Sequence, residues 1–546
     1  MQLRLSRALK VLVIATLIVC ASKPSLLAKS SPNRRVEYYF SFDEMGTALT
    51  NVTFSDDQPG GGAFWMLVPR EPGKWSLRVS DGRLENSTLK DTDASFGHMV
   101  FYVNLTLFYF GPITVVINWT LEYGALLLEP QGLFVSPAIF TSRDISGDAK
   151  LELPNWVKNI NYATPRYTKK TDNVLQFDLG QIMREGGGRI YVFFSLYGQT
   201  ENSEFTRENF TVVAPSRYSK LADRVLSTYS KAEPILQKLF NISLGHTYLE
   251  FFVPSSEEEL PIGGFVPILQ DRFSVGNISL NLFYFRTQEG YIESIALHEL
   301  VHQYCAKAGI APSLLWVHEG FANYVSIEAT YLLGLPGARD LEESLRDEAA
   351  TVPVSEYHMV EDWTTERTNP RYSVFQHYAV AYSIISDIGK AFRNEGEPFD
   401  GYTFFANIFH EMVQKGLRLD STLQIVSLME AASTNGSRIA SMFMSWNFNV
   451  LDIYQIYSRI ESLREKLRDP SPILSLFAPS MLAKLVEAEN SLESENFMLA
   501  QELVREVEAF MDRIWVLIGT LLLIGATSIY LALPRKTRRE VAGQGS

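Results

Sequence analysis

The sequence predicts a multidomain chain: an N-terminal all-β sandwich or saddle-like domain, an α+β domain, an α-helical C-terminal region and a single transmembrane helix. Three observations predict it. Between Arg35 and Leu196 apolar and polar residues alternate, as in half-buried strands. After Pro215 the apolar period lengthens to that of helices. Near the end, Ile514 to Leu533 is a run of 20 residues without a charge, long enough to cross a hydrocarbon core.

The first 28 residues carry Arg4, Arg7 and Lys10, then the apolar run Val11 to Val19, then small residues. That order is a secretory signal, with cleavage expected after Ala21 or Ala28. Val19 is too bulky for Cys20 to suit a lipidation site. The β domain spans 35–205. Its clearest strands hold Phe101, Val103, Leu105, Leu107 and Tyr109, and Ile113, Val115, Ile117, Trp119, Leu121 and Tyr123. Pro59-Gly60-Gly61-Gly62 and Gly186-Gly187-Gly188 are turn-rich breaks between strands. An adhesive or glycan-binding sandwich would have the same pattern.

The α+β domain spans 215–400. Tyr218 to Phe240 has helical spacing, with Pro234 placed to kink it. Tyr248–Val253 and Ser279–Phe285 are apolar and strand-like. A helix is expected from Tyr291 to Ala308, stopped by Gly309; Pro312-Ser313 then opens a second, roughly Leu314 to Leu333, closed by Gly334.

The first of these helices contains His298-Glu299-Leu300-Val301-His302, and Glu319 follows in Trp-Val-His-Glu-Gly-Phe-Ala-Asn-Tyr. Histidine is scarce, eight in 546 residues, so this pairing is not a product of composition. Two imidazoles four apart share a helix face and can hold one divalent ion. A carboxylate from the next helix completes a three-ligand set with one position open, the arrangement of catalytic zinc. Glu299 stands where a carboxylate can serve as general base toward a metal-activated water. The bland alternative is a surface helix with incidental histidines.

His-Glu-Leu-Val-His-Gln-Tyr followed by Trp-x-x-Glu-Gly-Phe-Ala-x-Tyr resembles the gluzincin metallopeptidases, in particular the aminopeptidase N family, over Ile292 to Tyr324. The resemblance implies a thermolysin-like catalytic domain behind a β domain, one Zn2+ per chain held by His298, His302 and Glu319, and a peptide or protein substrate. It also implies a tyrosine about 60 residues past the glutamate that donates to an oxyanion. Tyr378 lies 59 positions after Glu319, near the start of a helix expected from Phe375 to Phe392, with Tyr372 and Tyr382 as competitors.

Two departures stand out. The family has 18 residues between the second histidine and the glutamate, whereas 16 lie between His302 and Glu319, so the intervening turn is tighter. The family's Gly-x-Met-Glu-Asn strand, whose glutamate holds a substrate's free amine, corresponds here to Ile262-Gly263-Gly264-Phe265-Val266-Pro267, without an acid. Glu257, Glu258 and Glu259 are nearby substitutes; a solvated loop is the simpler reading. Exopeptidase against endopeptidase action is therefore left open.

Lesser candidates are Asn323, one turn after Glu319 and able to orient a ligand histidine; His318, off the ligand face; His410-Glu411, without a second histidine; and Cys305, a buried thiol by default.

Residues 401–512 form the helical region, ending in a stalk or hairpin of Met481–Asn490 and Glu495–Phe510. Arg535, Lys536, Arg538 and Arg539 follow the 514–533 span, so the 534–546 tail is expected in the cytoplasm and the body outside, at a cell membrane crossed once. The net charge of −13 leaves about −20 between signal and span once their flanking cations are set aside, which offers no track for nucleic acid. Eight Asn-x-Ser/Thr sequons (Asn51, Asn86, Asn104, Asn118, Asn209, Asn241, Asn277, Asn435) fit a glycoprotein exposed outside the cell. Only Cys305 remains after signal removal, so no intrachain disulfide is available; this points to a prokaryotic surface, archaeal included. Oligomeric state is not readable. Two other readings use the same residues: a non-catalytic surface glycoprotein built on the peptidase scaffold, and a zinc hydrolase of non-peptide amides or esters.

Overall fold

The computed structural model describes residues 34–513 except 71–73, 92–101, 140–144, 200, 270–272, 287–289, 365–366, 434–436, 449, 469–473 and 494–498. The expected signal (1–28), transmembrane span (514–533) and basic tail (534–546) lie outside the described residues. Among the described residues no helix is long and apolar enough to cross a membrane.

Alternation builds the N-terminal sheets. Val36, Tyr38, Phe40 and Phe42 point inward from one strand, Arg34–Phe42, and Ile113, Val115, Ile117 and Trp119 from another, Ile113–Leu121. The largest sheet has seven strands in the order Lys169–Thr171, Val174–Asp178, Ser146–Glu152, Arg34–Phe42, Ala48–Asp56, Ile113–Leu121 and Trp75–Asp81. A four-stranded sheet (Val157–Thr164, Tyr191–Leu196, Gln131–Val135, Ala125–Leu128) and a three-stranded one (Gly61–Pro69, Tyr102–Phe110, Leu84–Asp91) share its apolar core. Asn51 and Asn118, both in sequons, are cross-strand neighbours whose amides hydrogen-bond at 2.6 Å.

A five-stranded sheet follows, in the order Asn202–Arg207, Phe210–Pro215, Thr247–Phe252, Ile278–Asn281, Gly264–Phe265. The strand expected over Ser279–Phe285 ends at Asn281, because the Asn281 side chain accepts from the Phe283 N–H and donates to the Ile262 carbonyl; Leu282–Arg286 then turns as a 3-10 helix. The helix Ser219–Phe240 runs through Pro234. Helices Tyr291–Ala308, Leu315–Leu332, Ala338–Ala350, Val374–Ala391 and Tyr402–Lys415 complete this part. The last was assigned by sequence to the C-terminal region. Its apolar face, Phe405 and Phe409, packs edge-on against Phe321 of Leu315–Leu332.

The described chain divides into two compact units, one running to Pro353 and from Met359 to Asp420, the other comprising Val354–His358 and the residues from Ser421 onward. In the second, helices Val450–Arg468, Ala478–Glu493 and 499–513 share a core of Ile460, Leu463, Leu485, Ala488, Val504 and Val507. Arg464 pairs with Glu489 at 2.5 Å, and Arg459 with Glu508.

Candidate metal centre

The helix Tyr291–Ala308 is apolar on nearly every side because it is buried on nearly every side. Its start is fixed by Gly290, at φ +98°, whose N–H donates to the Glu293 carboxylate at 2.7 Å; Arg224 of Ser219–Phe240 holds the same carboxylate. The Tyr229 hydroxyl donates to the Ala296 carbonyl at 2.8 Å, and the Ser294 hydroxyl reaches Thr330 of the next helix at 2.9 Å. These contacts set the roll angle of the helix and so the direction of its histidines.

The turn between the two helices is braced. Gly309, at φ +107°, ends the helix, and a Cβ there would lie 2.3 Å from the Leu417 carbonyl oxygen. The Leu419 N–H donates to the Gly309 carbonyl and the Ala311 N–H to the Leu419 carbonyl, both at 2.8 Å. Leu315–Leu332 begins a few residues later, with Glu319 in its second turn.

His298, His302 and Glu319 come together. The Nε2 atoms of the two histidines lie 3.1 Å apart. Glu319 Oε2 lies 3.1 Å from His298 Nε2 and 3.6 Å from His302 Nε2. All three side chains are largely buried, and Glu319 Oε2 has no partner of hydrogen-bonding geometry among the described residues. Burial raises the Glu319 carboxyl, but His302 and His298 outweigh it and hold the group well below the usual carboxylate range. Burial disfavours His302 as a cation, yet Glu319 more than offsets this and its pKa rises.

Glu299 is 4 % exposed. Burial raises its carboxyl pKa, His298 and His302 pull it down, and Glu319 raises it further. The two-residue strand Gly264–Phe265 passes against it: a Cβ on Gly264 would lie 2.9 Å from Glu299 Oε1. Neither this strand nor Ile262–Pro267 brings an acid. Glu259 accepts from the Ser255 N–H at 2.7 Å, Glu258 is exposed, and Glu257 acts on Tyr191.

Gly320 lets the helix Val374–Ala391 come close, since a Cβ there would meet the Ala381 carbonyl oxygen at 2.7 Å. One turn before Ala381, Tyr378 lies beside Glu319. That carboxylate, then burial, then Glu299 raise its phenol pKa well above normal. Tyr382 instead donates to Glu342 at 3.1 Å, and the Tyr372 ring stacks under Arg371. Asn323 Nδ2 is buried with no hydrogen-bond partner among the described residues and reaches neither histidine. Cys305 is fully buried and its thiol pKa is raised by burial. His410 Nε2 lies 3.0 Å from the Lys238 carbonyl oxygen.

His318, off the ligand face in the sequence reading, lies behind the trio. It reaches His302 from behind: the two Nδ1 atoms are 3.3 Å apart, and His318 Nε2 is 3.0 Å from the Ile310 carbonyl oxygen. A carbonyl only accepts, so His318 carries its proton on Nε2. Burial, then His302, lower its pKa to about 4, so the ring is neutral and its Nδ1 is an acceptor. When neutral, His302 therefore keeps its proton on Nδ1, which leaves the lone pair of its Nε2 facing His298 and Glu319. The sequence holds one available signal, a histidine directly preceding the acidic ligand candidate Glu319.

No protein-family model matches the chain, and no curated protein does. Solved structures similar to it include yeast LTA4 hydrolase in complex with bestatin, at 12% identity over 84% of this chain and 77% of that one, with a TM-score of 0.33. An aminopeptidase N family protein from Idiomarina loihiensis is similar at 13% identity over 76% of each chain, TM-score 0.34. The M1 zinc metallopeptidase of Deinococcus radiodurans is similar at 11% identity over 78% of this chain and 96% of that one, TM-score 0.28.

Proposed function

We propose that the protein is a zinc metallopeptidase that hydrolyses peptide bonds, anchored in a membrane by residues 514–533 with its body outside. One observation carries the catalytic reading: two imidazole nitrogens and a carboxylate oxygen converge from two helices, with Glu299 beside them. The fit to zinc is testable on spacing. Ligand atoms about 2.0–2.1 Å from a tetrahedral ion lie about 3.3 Å from one another, and the three separations here are 3.1, 3.1 and 3.6 Å. The donor set, two neutral imidazoles and one carboxylate, suits zinc, and Glu319 Oε2, buried without a hydrogen bond, gains a partner when an ion binds.

His298, His302 and Glu319 would hold the ion. When bound it supplies Lewis acidity to a carbonyl and acidifies water. Glu299 removes the proton of the attacking water and returns it to the departing amine; its raised pKa suits a group that must both take and give a proton. Tyr378 donates its hydroxyl to the oxyanion, and neighbouring carboxylates keep that phenol protonated. His318 fixes the His302 tautomer. The strand Gly264–Phe265 offers a backbone edge for an extended peptide but no acid to hold a free amine, so the reading does not require an N-terminal residue on the substrate.

The test uses the full chain in detergent. Zinc content is measured alongside cleavage of free-amine and N-blocked peptides, for wild type and Glu299→Gln. Equal zinc with cleavage lost in the variant supports the proposal; zinc bound but no cleavage by wild type favours the scaffold alternative. Cleavage of blocked peptides excludes a strict aminopeptidase.

A further inference from the structure

Away from the metal centre, two buried guanidinium groups converge on consecutive carbonyls. Arg189 Nη1 donates to the Ser136 carbonyl at 3.0 Å, and Arg286 Nη2 to the Val135 carbonyl at 3.2 Å. The Val135 carbonyl ends the strand Gln131–Val135 and that of Ser136 follows it; Ser136 is pinned to Ile190 by two hydrogen bonds of 2.9 Å. Arg189 is 5% and Arg286 6% exposed.

Neither cation is satisfied. Arg189 Nη2, Arg286 Nε and Arg286 Nη1 are buried with no hydrogen-bond partner among the described residues. Burial and then the charge of Arg189 lower the Arg286 pKa to about 10, while the other groups acting on it are the phenols Tyr102 and Tyr191, not a carboxylate. Among the described residues Glu257 is the acid in the neighbourhood: it acts on Tyr191, as both arginines do, but its own buried Oε1 is unpaired. An uncompensated buried charge is strongly destabilising, and unpaired buried donors in numbers point to a missing ion or water. Among the described residues, two cations against one acid leave one positive charge over.

We propose that Arg189 and Arg286 form a buried site for one small monovalent inorganic anion, of the size and charge of chloride, which receives their unpaired N–H groups. The site joins the N-terminal β domain, through Arg189 and Ser136, to Arg286, which closes the 3-10 helix Leu282–Arg286 ahead of the helix carrying His298. A bound anion thus ties the approach to the metal centre onto the β domain. Water cannot do this, since it brings no charge.

The full chain in detergent is exchanged into sodium gluconate and titrated with chloride or bromide at constant ionic strength while thermal unfolding is followed. Wild type is expected to gain a saturable rise of about 3 °C. Arg189→Gln/Arg286→Gln is expected to lose the response and Glu257→Gln to keep it. A wild type that does not respond, or a response that survives in the arginine variant, overturns the proposal. A response that appears only in Glu257→Gln also overturns it, because that carboxylate is then the counter-ion in the wild type. Should the double variant not fold, bromide-soaked crystals of wild type decide: an anomalous peak within hydrogen-bonding distance of both guanidinium groups upholds the site, and none refutes it.

Discussion

The Nδ1 atoms of His302 and His318 face each other at 3.3 Å, and that contact, with the Ile310 carbonyl behind it, sets which nitrogen of His302 carries a lone pair. A histidine would thereby do for the proposed ligand His302 what a carboxylate or carbonyl more often does. His318→Phe keeps the bulk and removes the acceptor. Zinc affinity, read by competition with a chromophoric chelator, is expected to fall about 10–100-fold. His318→Asn, whose side-chain carbonyl can accept from His302, is expected to recover most of it. Equal affinity in wild type and His318→Phe would remove the positioning role.

Tyr378 and Tyr382 lie one turn apart on the same helix, yet only the first borders Glu319. Tyr378→Phe is expected to lower kcat about 10²–10³-fold with KM nearly unchanged. Tyr382→Phe, which loses a hydrogen bond to Glu342, should cost about 1 kcal/mol of stability and little activity. Steady-state kinetics with thermal unfolding on both variants reads the contrast.

Gly264 is a residue without which Glu299 could not sit where it does. A methyl group there would lie 2.9 Å from the Glu299 carboxylate, so Gly264→Ala must displace either the strand or the Glu299 side chain proposed as general base. We expect kcat to fall about 10-fold or more, as small misplacements of catalytic groups do. Gly245→Ala, where nothing lies within 4 Å, is the control and should be silent.

Glu328 supplies a pH signature independent of the metal. Burial first, then Glu342 and Asp400, raise its pKa to about 7, above the unfolded value of 4.5. A folded state that binds the proton more tightly gains stability at low pH, and this gain is lost as pH rises from 4.5 through 7. Glu328→Gln should therefore match wild type near pH 5 and exceed it by about 2 kcal/mol near pH 8, partial exposure allowed for. Denaturation of both proteins at the two pH values measures the crossover; a constant difference would contradict it.

Much of the site was legible because its chemistry is written locally. His298, Glu299 and His302 fall within five residues of one helix, so their shared face follows from helical pitch alone. Alternation likewise announced the strands Tyr102–Phe110 and Ile113–Leu121. What escaped depends on tertiary approach. Asn281 ends its strand through a side-chain bond to Ile262, and His318 acts through Ile310; neither partner is marked by period or propensity. Tyr402–Lys415 looked like the start of the helical tail since an apolar face does not reveal what it covers. The acidless strand at Gly264 was visible in the sequence, but its contact with Glu299 was not.

The brace between Gly309 and Leu419 bears on how the molecule is made. The loop joining the two ligand-bearing helices is pinned by a backbone segment that leaves the ribosome long after both helices have emerged. Until that late segment arrives, the loop between the two helices lacks these two hydrogen bonds, although Ser294 can already reach Thr330 across the helix pair. If the trio holds zinc as proposed, its final spacing is completed only when that late segment is in place.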